Sequence, residues 1–194
     1  MDKMLRILKR REIFHRVVFR IDEVTFQYRR FDGSMSDTVT RLVLNRGDSV
    51  AILLHDAESH SIVLCEQLRV PTYENGPGWL LELPAGILEP GESEEDCARR
   101  ETLEETGYVV RSLDRIASIY LSPGGSSERV HIFHSEVSLA DRTGKGGGLV
   151  VENEDIKLVS LPRVEAMAKL RAGEILDAKT LIALQWLELS RPFS

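Results

Sequence analysis

Apolar and polar positions change period along this 194-residue chain, and each change marks a different kind of element. In "VTFQYRRF", Val24, Phe26 and Tyr28 alternate with polar neighbours, as in a half-buried strand. "TVTRLVLN" and "SVAILLHD" are dense in β-branched and aliphatic residues and also predict strands. Asp32-Gly33 fits a hairpin turn between two of them. "SIVLCEQLRV" and "WLLELPAG" continue the strand pattern on either side of the turn-rich "PTYENGPG". "RIASIYL" and "ERVHIFHSEV" flank "SPGGSS" in the same way. The tail then takes helical spacing in "LPRVEAMAKLRAGEI" and "DAKTLIALQWLELS", with Gly173 as a C-cap and Asp177 as an N-cap. The expectation is a mixed, largely antiparallel α+β domain whose N-terminal strands form a small sheet of their own.

Composition narrows the function classes. Apolar residues make up 42% and charged residues 29%, ordinary for a globular chain with one main core. A net charge of -6 argues against general nucleic-acid binding, which needs a basic surface. The basic run "KRREIFHRVVFR" is interleaved with apolar residues and reads as the polar side of strands. Charges break "MDKMLRILKRREIF" every few positions, so it lacks the apolar core of a signal peptide. No apolar run approaches the ~18 residues of a membrane span. Cys65 and Cys97 have no metal-ligand spacing and form no disulfide framework, so a reducing, cytoplasmic setting is expected. "GKGGG" at 144–148 lacks the GxxxxGK[ST] spacing of a phosphate-binding loop and reads as a flexible loop.

One stretch departs from this ordinary picture. "GILEPGESEEDCARRETLEETGY", residues 86–108, holds Glu89, Glu92, Glu94, Glu95, Asp96, Glu101, Glu104 and Glu105 against only Arg99 and Arg100. Like charges one turn apart repel by a few tenths of a kcal/mol each, ~0.2–0.5. Ser93 followed by Asp96 gives a capping pattern and Gly107 a C-terminal stop, predicting a helix over 94–106. Glu101 and Glu105 share one face, with Glu104 beside them and Cys97, Ala98 and Leu103 turned inward. Clustered carboxylates either form a solvated face or hold a hard divalent cation against phosphate.

Gly86, Glu92, Arg100-Glu101, Glu104-Glu105 and Gly107 give the spacing Gx5Ex7REx2EExG, which resembles the Nudix box. Thr102 stands where that family usually has an aliphatic residue. The resemblance implies an α/β/α sandwich with a mixed sheet, and Mg²⁺ or Mn²⁺ held by Glu101 and Glu105, then Glu104, with the carbonyl of Ala85 a further ligand. It implies that Arg100 orients a box glutamate; Glu92 either pairs with the helix or is solvated. Glu89, Glu94, Glu95 and Asp96 read as a solvated face and dipole partners.

Beyond the box, "RFDGSMS", "EQLRVPTY", "WLLELPAGI", "SPGGSSER", "ENEDI" and "IALQWLEL" resemble the ADP-ribose pyrophosphatase and nucleotide-sugar branch of that family. Pro123 lies fifteen residues past Tyr108, a position where ADP-ribose-hydrolysing members carry proline. The branch implies hydrolysis of ADP-ribose to AMP and ribose 5-phosphate, with GDP-mannose or UDP-sugar cleavage as the nearest alternative. A non-catalytic nucleotide-sensing domain is a third reading, disfavoured by the complete set of glutamates. The branch also implies a homodimer, with residues 1–45 forming the dimerisation sheet and 46–194 the hydrolase domain. Arg41 and Arg69 match nucleotide-contacting positions and otherwise read as exposed strand residues; Glu128 matches a residue near the terminal ribose and otherwise pairs with Arg129. Where bacterial members stack an aromatic on adenine, this chain has Val18, with Phe19 adjacent. Matching places the water-activating base at Glu152, with Glu154 as a supporting or metal-associated carboxylate and the competing choice of base, in a glycine-rich loop free to close; the other reading is an acidic surface loop. His131 and His134, three apart on a strand, face opposite sides, and His15, His55 and His60 offer no constellation. Trp79 and Trp186 read as core or interface residues.

Overall fold

The structure is a computed structural model; it describes residues 4–190, the side chain of Glu152 excepted. The chain divides into two compact units, one running to Gly47 and including Tyr120–Arg129, the other comprising Asp48–Ile119 and the chain from Val130 onward.

In the first unit, β1 (Leu5–Arg16), β2 (Phe19–Tyr28) and β3 (Val39–Asn45) form an antiparallel sheet in that order. Arg16 pairs with Phe19, so Val17 and Val18 make the turn, and Val17 takes φ 54°, a region that β-branched residues avoid. Asp32 and Gly33 lie at the tip of the β2–β3 connection, where Gly33 has φ 90° and Asp32 accepts the Ser34 amide at 2.8 Å. Asp22, buried, lies 3.3 Å from both Arg10 and Arg20. The segment around Gly125 joins through Leu44, whose amide donates to the Gly125 carbonyl at 2.8 Å. β1 is exposed along its whole length, Leu5, Ile7 and Phe14 included.

The second unit is built on a mixed seven-stranded sheet. Its strands are β4 (Ser49–Asp56), β5 (Ser61–Leu68), β6 (Trp79–Glu82), β7 (Ala85–Ile87), β8 (Asp114–Tyr120), β9 (Arg129–Val137) and β10 (Lys157–Pro162). The order is β10-β5-β4-β9-β8, with β6 added to β5 and β7 to β4. β4 is buried at every position and runs parallel to β9. Its side chains alternate between two cores. Val50, Ile52 and Leu54 meet Cys97 and Ala98 of α1 (Glu94–Thr106) on one face. Ala51 and Leu53 face the other, where Met167 of α2 (Arg163–Ala172) and Leu184 and Leu187 of α3 (Ala178–Ser190) pack. This is the expected α/β/α sandwich with a small antiparallel N-terminal sheet. Trp186 packs against the α2–α3 core, whereas Trp79 is exposed, its edge toward Tyr73. Among the described residues no helix is long and apolar enough to cross a membrane.

Candidate active site

Local chemistry starts and stops α1 where the spacing predicts. Ser93 caps the first turn by accepting the Asp96 amide at 3.1 Å, and Gly107, at φ 77°, ends the helix with its amide on the Leu103 carbonyl. Thr102 is fully buried, and its hydroxyl donates to the Ala98 carbonyl at 2.7 Å. A hydroxyl at an aliphatic position is thus satisfied within its own helix.

The inward face of α1 carries a carboxylate. Glu105 is only 3% exposed; its Oε2 accepts the Ala85 amide at 2.9 Å and lies 3.9 Å from the Cys65 thiol. Burial pushes its pKa up to about 8; the Ala85 hydrogen bond opposes this, and the nearby charges of Glu101 and Glu154 add to it. Glu101 is raised too, again chiefly by burial. Its carboxyl lies directly over Gly86, where an added Cβ would come within 1.9 Å of it. Only glycine leaves that space. Arg100 organises the exposed side of the cluster. Its Nε and Nη2 donate to Glu92 at 2.9 Å each, and its Nη1 to Glu101 at 2.7 Å and Glu104 at 3.2 Å. The bidentate pair holds the Glu92 carboxyl down at about 2. Glu92 therefore pairs with the helix. Glu94 is not simply solvated: it contacts Arg115, and lies 3.2 Å from His131.

The glycine-rich loop docks on the end of this helix. Gly147 donates to the Glu105 carbonyl at 2.8 Å and Gly148 to that of Glu104 at 3.2 Å, satisfying groups that a helix end leaves open. Gly146 has φ 67°, and a Cβ there would lie 2.6 Å from the Glu105 carbonyl oxygen. Close approach, besides any freedom to move, is a reason for glycine here. A 3-10 turn, Val150–Glu152, follows, and Glu154 accepts the Leu149 amide at 2.9 Å. The Glu154 charge acts on both Glu101 and Glu105. The Glu152 side chain lies outside the described residues.

Arg69 belongs to a network that the linear pattern does not display. Its Nε and Nη2 donate to the buried Glu82 at 2.9 and 3.0 Å, and Lys179 donates to the same carboxylate at 2.7 Å. Lys179 also reaches Asp177 at 2.8 Å, and Asp177 caps α3 through the Thr180 amide at 2.9 Å. The Thr180 hydroxyl accepts the Leu83 amide at 2.8 Å, tying α3 to the stretch between β6 and Ala85. An acid inside the apolar run "WLLELPAG" was the signal for Glu82, since a buried carboxylate needs partners. Nothing local marks Lys179. In the first unit, Arg41 is exposed on β3 and donates to the Thr40 carbonyl at 2.9 Å. Pro123 is exposed in a turn closed by the Ser126 amide on the Ser122 carbonyl at 2.9 Å. Glu128 lies 3.8 Å from Arg46.

His131 and His134 have separate surroundings: His131 lies 2.8 Å from the Ser118 hydroxyl, His134 beside the rings of Trp186 and His55. The expectation that His55 joins no constellation is corrected, because the β4–β9 pairing brings it to His134 from a distant part of the chain. A cavity of about 360 Å³ lined by Trp79, Leu81, Val159 and Ile175 contains none of the box carboxylates. The carboxylate helix remains the candidate site. Its donors are oxygen atoms, and burial together with the neighbouring charges of Glu101 and Glu154 raises Glu105, a penalty on its charged form that a divalent cation offsets, so the residues fit Mg²⁺ or Mn²⁺.

Comparison with known proteins bears on the same site. Residues 45–180 match the NUDIX domain. The chain is 41% identical over 180 residues to the ADP-ribose pyrophosphatase of Escherichia coli (strain K12), covering 92% of this chain and 86% of that protein. It is 42% identical over 173 residues to the GDP-mannose pyrophosphatase of Cronobacter sakazakii (strain ATCC BAA-894), covering 88% of each. With the domain match spanning most of its length and carrying the carboxylate helix inside it, the chain belongs to the Nudix family of hydrolases.

Proposed function

We propose that the protein hydrolyses ADP-ribose to AMP and ribose 5-phosphate, with Mg²⁺, or Mn²⁺ in its place, held by Glu101, Glu105, Glu104 and the Ala85 carbonyl. The observation that carries the metal-dependent hydrolysis is the buried Glu105 beside Glu101 on one face of a helix docked under Gly86, and the 41% identity to an ADP-ribose pyrophosphatase supports the substrate. When bound, the metal neutralises the pyrophosphate and polarises the phosphorus under attack. The chain's own residues prepare the rest. Arg100, anchored by Glu92, keeps Glu101 and Glu104 oriented, and the Ala85 amide fixes one oxygen of Glu105. Glu152 takes the proton from the attacking water, and Glu154, held by the Leu149 amide, supports it. Arg69 and Arg41 bind the nucleotide; Glu82 fixes the plane of the Arg69 guanidinium, whose side chain is 39% exposed. Glu128 contacts the terminal ribose, and Pro123 shapes the loop beside it.

Residues 1–45 serve as a dimerisation sheet for the hydrolase domain of 46–194, supported by the exposed apolar side chains of β1. The free, buried Cys65 and Cys97 agree with a reducing, cytoplasmic setting. Identity to a GDP-mannose pyrophosphatase keeps GDP-mannose as the second substrate reading. Detection of AMP and ribose 5-phosphate from ADP-ribose with Mg²⁺, lost on chelation and reduced by orders of magnitude in Glu105→Gln, tests the proposal. Full turnover in excess EDTA would sink the metal mechanism.

A further inference from the structure

We propose that His55, His134 and Glu136 form a second metal site, suited to Zn²⁺ and separate from the carboxylate helix. The proposal does not rest on the substrate reading above.

Topology assembles the three residues. β4 and β9 run parallel with His55 opposite Glu136 and Leu53 opposite His134, and paired residues of adjacent strands point to the same side of a sheet. His134 and Glu136, two apart on β9, share that side. One donor atom from each of the three residues lies within 4.8 Å of the others. The side is that of Leu53, Trp186 and α3, whereas α1 with its glutamates packs on the opposite side. The two clusters cannot share an ion.

The donor set indicates the kind of ion. Two imidazole nitrogens and one carboxylate suit Zn²⁺ and its late first-row neighbours, while Mg²⁺ prefers oxygen alone. Zn–N bonds of about 2.0–2.1 Å put tetrahedral donors roughly 3.3–3.5 Å apart, so the group closes on an ion by a contraction of at most about 1.5 Å, within reach of side-chain rotation. Both histidines are buried and Glu136 is exposed, so the cluster meets the surface at Glu136, the side from which an ion would enter. A carboxylate also stands behind one ligand: Asp114 Oδ2 is 3.5 Å from His134 Nδ1. Metal-bound imidazoles regularly use their second nitrogen in this way, to fix tautomer and ring orientation. Packing two histidines beside Trp186 explains their burial, but it does not call for Glu136 and Asp114 at the same end of the strands.

The test uses the full-length protein, stripped of metal and titrated with Zn²⁺ and with Co²⁺ in excess Mg²⁺. Expected are one Zn²⁺ per chain, the strong visible bands of four-coordinate Co²⁺, and a zinc-dependent rise in Tm. Glu136→Gln, on the exposed rim where the fold tolerates change, should weaken zinc binding by at least about tenfold, on the scale of ligand-environment losses. His55→Gln should abolish the cobalt bands, and Glu105→Gln should leave them intact. Zinc binding that survives Glu136→Gln unchanged, that vanishes in Glu105→Gln, or that is absent from the wild type would overturn the proposal.

Discussion

At Glu105, burial of a carboxyl that must be charged to hold a cation leaves a pH signature. Its folded pKa is about 8 against an ordinary 4.5, so folding favours the protonated form. The resulting stability is fully present below about pH 4.5 and is lost as pH rises through about 8. In EDTA, wild type should lose stability relative to Glu105→Gln across this window, by on the order of a few kcal/mol in total. Urea melts at successive pH values measure it, and a wild-type-minus-variant difference that stays flat would contradict the assignment. Metal binding should correspondingly tighten with pH up to about 8. Gly86→Ala is a second residue-scale test. The atoms in its way are the end of the flexible Glu101 side chain, so the protein should fold with Tm little changed while kcat falls at least about tenfold from the displaced ligand. Glu101 and Glu105 were legible because their spacing is local. The pairing of Glu82 with Lys179 was not, since the acid in an apolar run shows that Glu82 needs a partner but nothing in the distant segment marks Lys179 as that partner.

At the level of elements, legibility followed local signals in the same way. α1 was readable at both ends because Ser93 and Gly107 cap it by side-chain and backbone chemistry written there. The β1–β2 turn was not, because Val17 takes a positive φ with no glycine or asparagine to announce it. The loop at 144–148 was legible as glycine-rich but not as docked. Its contact with the Glu104 and Glu105 carbonyls makes Gly146→Ala a specific test. That variant should undock the loop and lower kcat at least about tenfold, with global stability changed by no more than about 1 kcal/mol, as expected of a loop that opens locally. Wild-type kcat would show that docking is irrelevant to turnover. Lys179→Met leaves Glu82 paired with Arg69 alone and should cost about 2 kcal/mol in denaturant unfolding, between the loss of one charged hydrogen bond and of a whole buried pair.

For the whole molecule, periodicity foretold the α+β class and the resemblance to the Nudix box implied the sandwich, but the parallel β4–β9 pairing at its centre was not foreseeable. Pairing depends on which distant strands meet, and that choice also created the His55–His134 cluster. β1 leaves Leu5, Ile7 and Phe14 exposed, and a second copy of the chain would remove that apolar surface from water. Light scattering of an active preparation at micromolar concentration should therefore give a dimer mass; a monomer would refute that assembly. Substrate choice is the central claim, and kcat/KM compared for ADP-ribose and GDP-mannose under identical Mg²⁺ tests it most directly. ADP-ribose should be preferred, yielding AMP and ribose 5-phosphate. A preference of tenfold or more for GDP-mannose, about 1.4 kcal/mol in transition-state stabilisation, would contradict it.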